Sequence, residues 1–164
     1  MSAYIRMMTP MMEKECLLLA LSDLGFPSSR IEDHGTPTAL VGYRGDERTQ
    51  TAHLVIRRQY LQQSSNDLGF LATPTGYQAI LSDDDKSRYG ESWLAQLGVR
   101  YSVHSAARAA RLAEEERRKL EEQRRKLVES QRVAIYEKAK KLGYQVKESR
   151  EGESLRLVLI KRTY

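Results

Sequence analysis

Five polar and aromatic side chains are the strongest candidates for binding chemistry in the sequence. Arginine can form paired hydrogen bonds with carboxylates or phosphates, and histidine changes its charge near neutral pH. Arg100 and His104 lie four residues apart, so on a helix they share one face beside the aromatic Tyr101. The candidate residues for binding an anion or an acidic partner are Arg44, Arg57, Arg100, Tyr101 and His104.

The same five residues also have a structural interpretation. Arginine side chains can pack across the edge of a sheet and pair with carboxylates, while His104 forms a hydrogen bond in the core. Ion-pair networks with a purely structural role produce the same residue pattern as a binding site. We favour the structural interpretation and keep the binding site as the alternative.

Motifs for enzyme chemistry are missing from the sequence. Residues 42–45 lack the lysine and the following helix of a phosphate-binding loop, and no nucleophile elbow is present. Cys16, the only cysteine, lies beside leucines and has no activating motif. We therefore expect a protein that is not an enzyme and that uses no cofactor.

Metal-binding patterns are also weak. The three histidines, His34, His53 and His104, do not lie at metal-ligand spacing on one helix or strand. The run from Asp83 to Asp85 could hold a divalent cation loosely, but a solvated acidic turn before a helix is the interpretation we favour. We expect no metal site.

Charge and hydropathy limit the classes of partner. The chain of 164 residues carries a formal net charge of +5. Residues 105–141 contain twelve Lys and Arg against seven Glu, so this stretch carries the whole excess. No apolar run is long enough for a membrane span, and the N-terminal residues do not resemble a secretory signal. These features, together with a single cysteine, predict a cytoplasmic protein without a membrane partner.

The order of apolar runs and turn residues predicts an α+β fold, with a largely antiparallel sheet, packed helices and a long charged helical projection. We expect one domain over residues 1–164 with a charged helical insertion at about 106–134. Ala52, Leu54 and Ile56 should share one face of a strand. In the N-terminal half, the predicted elements are a strand at 3–8, a helix that begins at Thr9 and Pro10 and ends at Gly25 and Phe26, a loop at 28–37, and strands at 38–48 and 51–60. A hairpin of 67–72 and 76–81 and an acidic loop at 82–86 follow. The last predicted elements are a helix from Ser92 to Leu142 and strands at 144–146 and 155–159, which a turn at Gly152 joins.

The charged helix contains its own stabilising pattern. Glutamates precede basic residues by four positions in the pairs Glu114–Arg118, Glu115–Lys119, Glu121–Arg125 and Glu122–Lys126. Leu120, Leu127 and Ala134 recur every seven residues, but their companion positions are polar, so the coiled-coil seam is half-built. We favour a solvated helix over a coiled coil, with a helix-mediated dimer as the alternative.

Several short segments of the chain carry a resemblance to a known family through their order and spacing. They are residues 41–45, 52–57, 67–70, Tyr77, 100–104, 142–146 and 155–159. Together they resemble a family founded on the hypothetical chloroplast reading frame thirty-five, found in cyanobacteria and plastids with wider bacterial relatives. Compared with that family, this chain has about 28 extra residues, close to eight helical turns, before its terminal strands. The resemblance implies the fold and no established activity, and it suggests work alongside other small proteins or an ATPase.

These observations favour a non-catalytic accessory or adaptor protein that binds another protein through the sheet face or the charged helix. The alternative is a nucleic-acid binder that uses the basic helix, whose affinity would fall steeply with salt. Glutamates interleaved with the basic residues argue against it, and Tyr101 and Tyr136 form no evident stacking platform.

Overall fold

The computed structural model describes residues 3–64 and 66–162. The predicted domain limits at residues 1 and 164 lie outside this range. Two compact units are present, a first unit of Met1–Ala110 and a second unit of Arg111–Tyr164. Compactness does not establish independent folding, so the interpretation of the chain as one domain with a helical insertion at about 106–134 stays a prediction.

The first unit contains an antiparallel five-stranded sheet in the order β1-β5-β4-β3-β2, which confirms the predicted α+β class. Its strands are β1 (Tyr4–Met8), β2 (Ile31–Val41), β3 (Glu47–Ile56), β4 (Leu68–Thr73) and β5 (Gly76–Ser82). The helices among the described residues are α1 (Lys14–Asp23), α2 (Lys86–Tyr89) and α3 (Glu91–Leu142), with short 3-10 helices at Ser28–Arg30, Arg58–Tyr60 and Asp83–Asp85.

The C-terminal end of α1 follows the sequence prediction. The N–H of Gly25 donates to the carbonyl of Ser22, and the N–H of Phe26 donates to that of Leu21. This is the Schellman arrangement, which needs a left-handed residue after the helix, and Gly25 supplies it with φ +95°. The predicted helix stop is confirmed.

The N-terminal end of α1 corrects the sequence prediction. Thr9 does not cap a helix, because its hydroxyl and its N–H both donate to the carbonyl of Tyr77. The N–H of Tyr77 donates back to the carbonyl of Met11 at 2.7 Å. Pairing with β5 therefore continues past Met8, and the helix begins only at Lys14.

The predicted loop at residues 28–37 is also wrong. Strand β2 already begins at Ile31, and its first residues pair with the C-terminal end of β3. The register then shifts between the pairs Asp33–Leu54 and Thr38–Ala52, so a bulge takes up the Gly- and Pro-containing residues. Turn-forming residues marked a bulge in a strand here, not a connection between elements.

The core of the first unit occupies both faces of the sheet. The larger cluster lies where α1 and the first turns of α3 pack, and it includes Leu54, Ile56 and Phe70. The smaller cluster contains Leu40, Ala52, Val55 and Ile80. Ala52 was predicted to share a face with Leu54 and Ile56, but it packs in the smaller cluster, and the register of the β2–β3 ladder shifts between the pairs that Ala52 and Leu54 form.

The second unit consists of the later part of α3 and an antiparallel hairpin of β6 (Tyr144–Glu151) and β7 (Ser154–Lys161). Gly143 and Gly152 have positive φ at the helix end and in the two-residue turn, as predicted. Within the described residues, β6 and β7 pair only with each other. The terminal strands therefore do not extend the five-stranded sheet.

Among the described residues of the second unit, only Ala139 is buried. Large apolar side chains remain exposed on both the helix and the hairpin. They are Leu112, Leu120, Leu127, Val128, Val133, Ile135, Leu142, Val158, Leu159 and Ile160.

Candidate functional site

Arg57 belongs to an ion-pair network at the end of β3. Its Nε and Nη2 donate to the two carboxylate oxygens of Glu32 at 2.8 and 2.6 Å, and its Nη1 donates to Asp67 Oδ2 at 2.7 Å. Glu32 also contacts His34 Nε2 at 2.9 Å. Hydrogen bonds from Arg57 lower the pKa of the Glu32 carboxyl. Both carboxylates face one guanidinium, so the network holds β2, β3 and the start of β4 together.

Asp67 is the centre of this network, and it is not among the residues predicted from the sequence. Its side chain is 1% exposed, and it accepts hydrogen bonds from the backbone N–H groups of Val41 at 2.8 Å and Arg58 at 2.9 Å in addition to Arg57. These three donors offset the cost of removing the carboxylate from water. The polar pair Asn66 and Asp67 directly before an apolar strand was the one available sequence signal.

Tyr4 closes the network from β1. Its hydroxyl donates to the backbone carbonyls of Val41 and Asp67, each at 3.3 Å. Burial, reinforced by the nearby Asp67 charge, raises the pKa of the Tyr4 phenol above its ordinary value. The tyrosine is therefore a neutral donor under ordinary conditions.

Tyr101 and His104 connect α3 to α1, at a different place from Arg57. The Tyr101 hydroxyl accepts from the backbone N–H groups of Met12 and Glu13 at 3.0 Å each. His104 Nε2 lies 2.7 Å from Asp23 Oδ2. These contacts occupy donors at the start of α1 and a carboxylate in its last turn. His104 was expected to form its hydrogen bond in the core, but its partner Asp23 lies at the surface.

Arg44 and Arg100 are exposed. The Arg44 guanidinium lies 5.2 Å from the ring centre of Tyr43, its neighbour in the loop between β2 and β3. Arg100 is on α3, one turn before His104. Arg100, Tyr101 and His104 thus share one stretch of α3, whereas Arg44 and Arg57 lie elsewhere in the first unit. The role of the five residues in binding stays a prediction.

The acidic run does not form a cation site in the structure. Asp85 is buried and accepts a hydrogen bond from the Ser64 hydroxyl at 2.7 Å, while the N–H of Asp84 donates to the Ser82 hydroxyl. Over residues 3–64 and 66–162, no group of three or more His, Cys, Asp or Glu is placed to hold a metal ion. The acidic run acts as a capped 3-10 turn before α2.

A groove of about 910 Å³ lies within the second unit, between α3 and the hairpin. Its apolar lining comes from Leu120, Val128 and Leu155. Arg132 bridges the two walls, because it pairs with Glu148 on β6 and with Glu129 on its own helix. The remaining lining residues are Arg117, Glu121, Arg124, Arg125, Ser149, Arg150, Gly152 and Glu153.

The charged residues of α3 pair along the helix in a pattern that partly differs from the prediction. Glu115–Lys119 and Glu122–Lys126 form as predicted, each at 2.8 Å. The glutamates of the other two predicted pairs, Glu114 and Glu121, instead form ion pairs with Arg117 at 2.7 and 3.3 Å. A long arginine placed between two glutamates reaches both, and this displaces the predicted pairs with Arg118 and Arg125.

The fold and the described side chains define an α+β protein with an antiparallel sheet and one long helix. No helix among the described residues is both long and apolar enough to cross a membrane. A family model described as a protein of unknown function (DUF1257) matches residues 20–134, so the chain belongs to this family. No curated protein and no solved structure is significantly similar to the chain.

Proposed function

We propose that the protein is a non-catalytic accessory protein that binds another protein through the groove of the second unit. One observation supports this function above the others. The groove keeps apolar side chains exposed among charges of both signs, with Leu120 60% and Val128 46% exposed. Exposed apolar patches with a polar rim are typical of protein interaction sites.

The charge balance of the groove indicates the chemistry of the partner. Five arginines and four glutamates line it, so neither sign dominates. A matching protein segment would place apolar side chains over Leu120 and Val128 and would carry both acidic and basic residues at its edges. The proposed partner is therefore a protein with a mixed-charge amphipathic segment.

Nucleic acid is the weaker alternative for this surface. In the groove, Arg117 and Arg132 already lie within 3.3 Å of glutamate oxygens. Outside its lining, Lys119 and Lys126 on α3 are paired in the same way. Phosphate contacts would have to displace these pairs, and the glutamates would repel the backbone of the nucleic acid. The second unit supports a protein partner better than a phosphate backbone.

The non-catalytic assignment is supported by the contacts of the candidate residues, because the polar groups of Arg57, Tyr101 and His104 face other protein groups in the first unit. We further propose that the protein acts in the cytoplasm, in keeping with Cys16 as a buried free thiol. We also propose that the plastid reading-frame proteins share this family. If these proteins are relatives, an ATPase is one class of partner that the resemblance suggests for this chain.

A site-specific photo-crosslinking experiment tests the proposed docking groove. A photoreactive amino acid would replace Val128 in the groove or, as the matched control, Val133. The two valines lie on one helix and are 46% and 47% exposed, but five residues place them on different sides of it. We expect a nuclease-resistant protein adduct from position 128 in the native host and little or none from position 133.

Two outcomes would contradict the proposal. Equal adducts from both positions would mean that the groove is not the docking surface. Adducts that disappear with nuclease, together with binding that falls steeply as salt rises, would transfer the function to nucleic acid. A further variant combines the photoreactive amino acid at position 128 with Leu120→Glu. The adduct should disappear in this variant if the partner binds to the apolar lining of the groove.

A further inference from the structure

Strand β7 has an outer edge that pairs with no other strand in the part of the chain that the structure describes. Glu151 and Ser154 flank the two-residue turn and form the first pair of the ladder. In such a hairpin the closing pair exchanges hydrogen bonds, and bonded and non-bonded pairs alternate from there. The backbone groups of Leu155, Leu157 and Leu159 therefore point to the outer edge.

The two edges of the hairpin differ in how well they are protected against pairing. The β6 sequence, YQVKESRE, carries two acids and two bases in its last five residues. The β7 sequence, SLRLVLIK, carries one charged residue before its terminal lysine, with five large apolar residues around it. Charges along an edge discourage association, and an apolar edge without them promotes it.

The second unit also has too little internal packing for an isolated hairpin. Only Ala139 is buried among its described residues, and Val158 and Ile160 are 42% and 45% exposed on the strand. Two-stranded hairpins are marginal in water, and three or more strands are usually needed for independent stability. A further strand on the β7 edge would pair with the free backbone groups of that edge and would reduce the exposure of the apolar side chains on the strand.

We propose that this further strand is β7 of a second copy of the chain, so that two hairpins form one four-stranded antiparallel sheet in a homodimer. The charges at the ends of β7 fit this occupant. Glu151 and Glu153 lie at its start, and Lys161 and Arg162 lie at its end. Antiparallel pairing sets the acidic end of one copy against the basic end of the other.

The register of this pairing follows from which backbone groups are available. Opposite residues in an antiparallel pair lie on the same face of the sheet. Pairing centred on Val158 places Leu157 opposite Leu159 of the second copy, and both have backbone groups on the outer edge. The two-fold axis passes through Val158, so the interface is closed and association stops at the dimer. The central pair of this edge, Leu157 with Leu159, lies outside the lining of the proposed docking groove, which the edge meets only at Glu153 and Leu155.

Analytical ultracentrifugation of the full chain tests the proposal. We expect a species of twice 18.8 kDa for the natural sequence. Leu159→Pro removes an outer-edge N–H without removing a hydrogen bond to β6, and it should yield the monomer. Its control is Val146→Pro, which removes an outer-edge N–H from the directly opposite residue of β6 and should leave the dimer intact.

Charge reversal provides a second test that leaves the backbone unchanged. Glu153→Lys and Lys161→Glu should each weaken the homodimer about tenfold, because attraction at two strand ends becomes repulsion. An equimolar mixture of the two variants should restore the dimer, since each acidic end again meets a basic one. A natural chain that stays at 18.8 kDa at its highest soluble concentration would overturn the proposal. A dimer that Leu159→Pro and both reversals leave unchanged would do the same.

Discussion

The two units of the chain differ in which side chains they bury and which they expose. In the first unit even a carboxylate, Asp67, is buried and fully hydrogen-bonded. In the second unit leucines and valines stay exposed, and charged pairs along the helix provide much of the local order. The first unit is therefore specified by contacts between distant residues, whereas the second is specified mainly by neighbours in sequence.

Matched truncations of one large side chain in each unit should give the largest contrast. Phe70→Ala in the first unit removes a fully buried ring and should lower the free energy of unfolding by about 4 kcal/mol. Leu127→Ala in the second unit, at a side chain that is 59% exposed, should change it by less than about 0.5 kcal/mol. Urea unfolding followed by far-ultraviolet circular dichroism measures both. A large loss for Leu127→Ala would break the comparison.

Asp67→Asn tests whether the polar network contributes as much as the apolar core. The amide cannot accept from three donors as the carboxylate does, and it leaves Arg57 without its buried charge partner. We expect a loss of about 3 kcal/mol in the urea experiment. Asp46→Asn, at a carboxylate that is 44% exposed, is the control and should cost less than about 1 kcal/mol. Equal losses would show that burial of Asp67 is unimportant.

Tyr101→Phe tests the contact between α1 and α3 in the first unit. The change removes one hydroxyl that accepts from two backbone N–H groups, and these are free to bind water in the exposed surroundings. We expect a loss of about 1 kcal/mol in thermal or urea unfolding. Tyr43→Phe, in an exposed loop, should be close to neutral. No difference between the two variants would remove Tyr101 from the structural network.

The smallest expected effect is a pH dependence carried by Glu32. Its pKa in the folded protein is lowered mainly by hydrogen bonds from Arg57, below the ordinary value of 4.5. The stabilisation is therefore fully present above that value and is lost as pH falls through the lower folded pKa. Urea midpoints measured on acidification should fall more steeply for the natural chain than for Glu32→Gln. Glu47→Gln, at an exposed position, should follow the natural chain.

Local signals in the sequence predicted the fold well where the chain contacts itself nearby. Gly25 with Phe26 closed α1, Gly143 ended α3, and Gly152 formed the turn of the β6–β7 hairpin. Predictions failed where a distant strand decided the local structure. Thr9 is a residue type that often caps helices, but its hydroxyl donates to the carbonyl of Tyr77. The residues after Arg30 form a strand because they pair with β3.

The candidate site shows the same limit more strongly. Arg57 is a candidate by its residue type, but its partners Glu32 and Asp67 are 25 and 10 residues away in sequence. Periodicity cannot reveal such a network, because it depends on which strands become neighbours. The pairing of Glu115 with Lys119, in contrast, needs only helical spacing and was predictable.

The aromatic residues at the start of α3 have a spectroscopic consequence. Trp93 is the only tryptophan in the sequence, and its ring meets those of Tyr89 and Phe26 edge-on at 5.3 and 6.2 Å between centres. All three residues belong to the first unit. Tryptophan fluorescence therefore reports on the first unit alone. The helical circular dichroism signal contains contributions from both units, because α3 has residues in each of them. Melting curves from the two signals would separate the units optically, with no label attached to the chain.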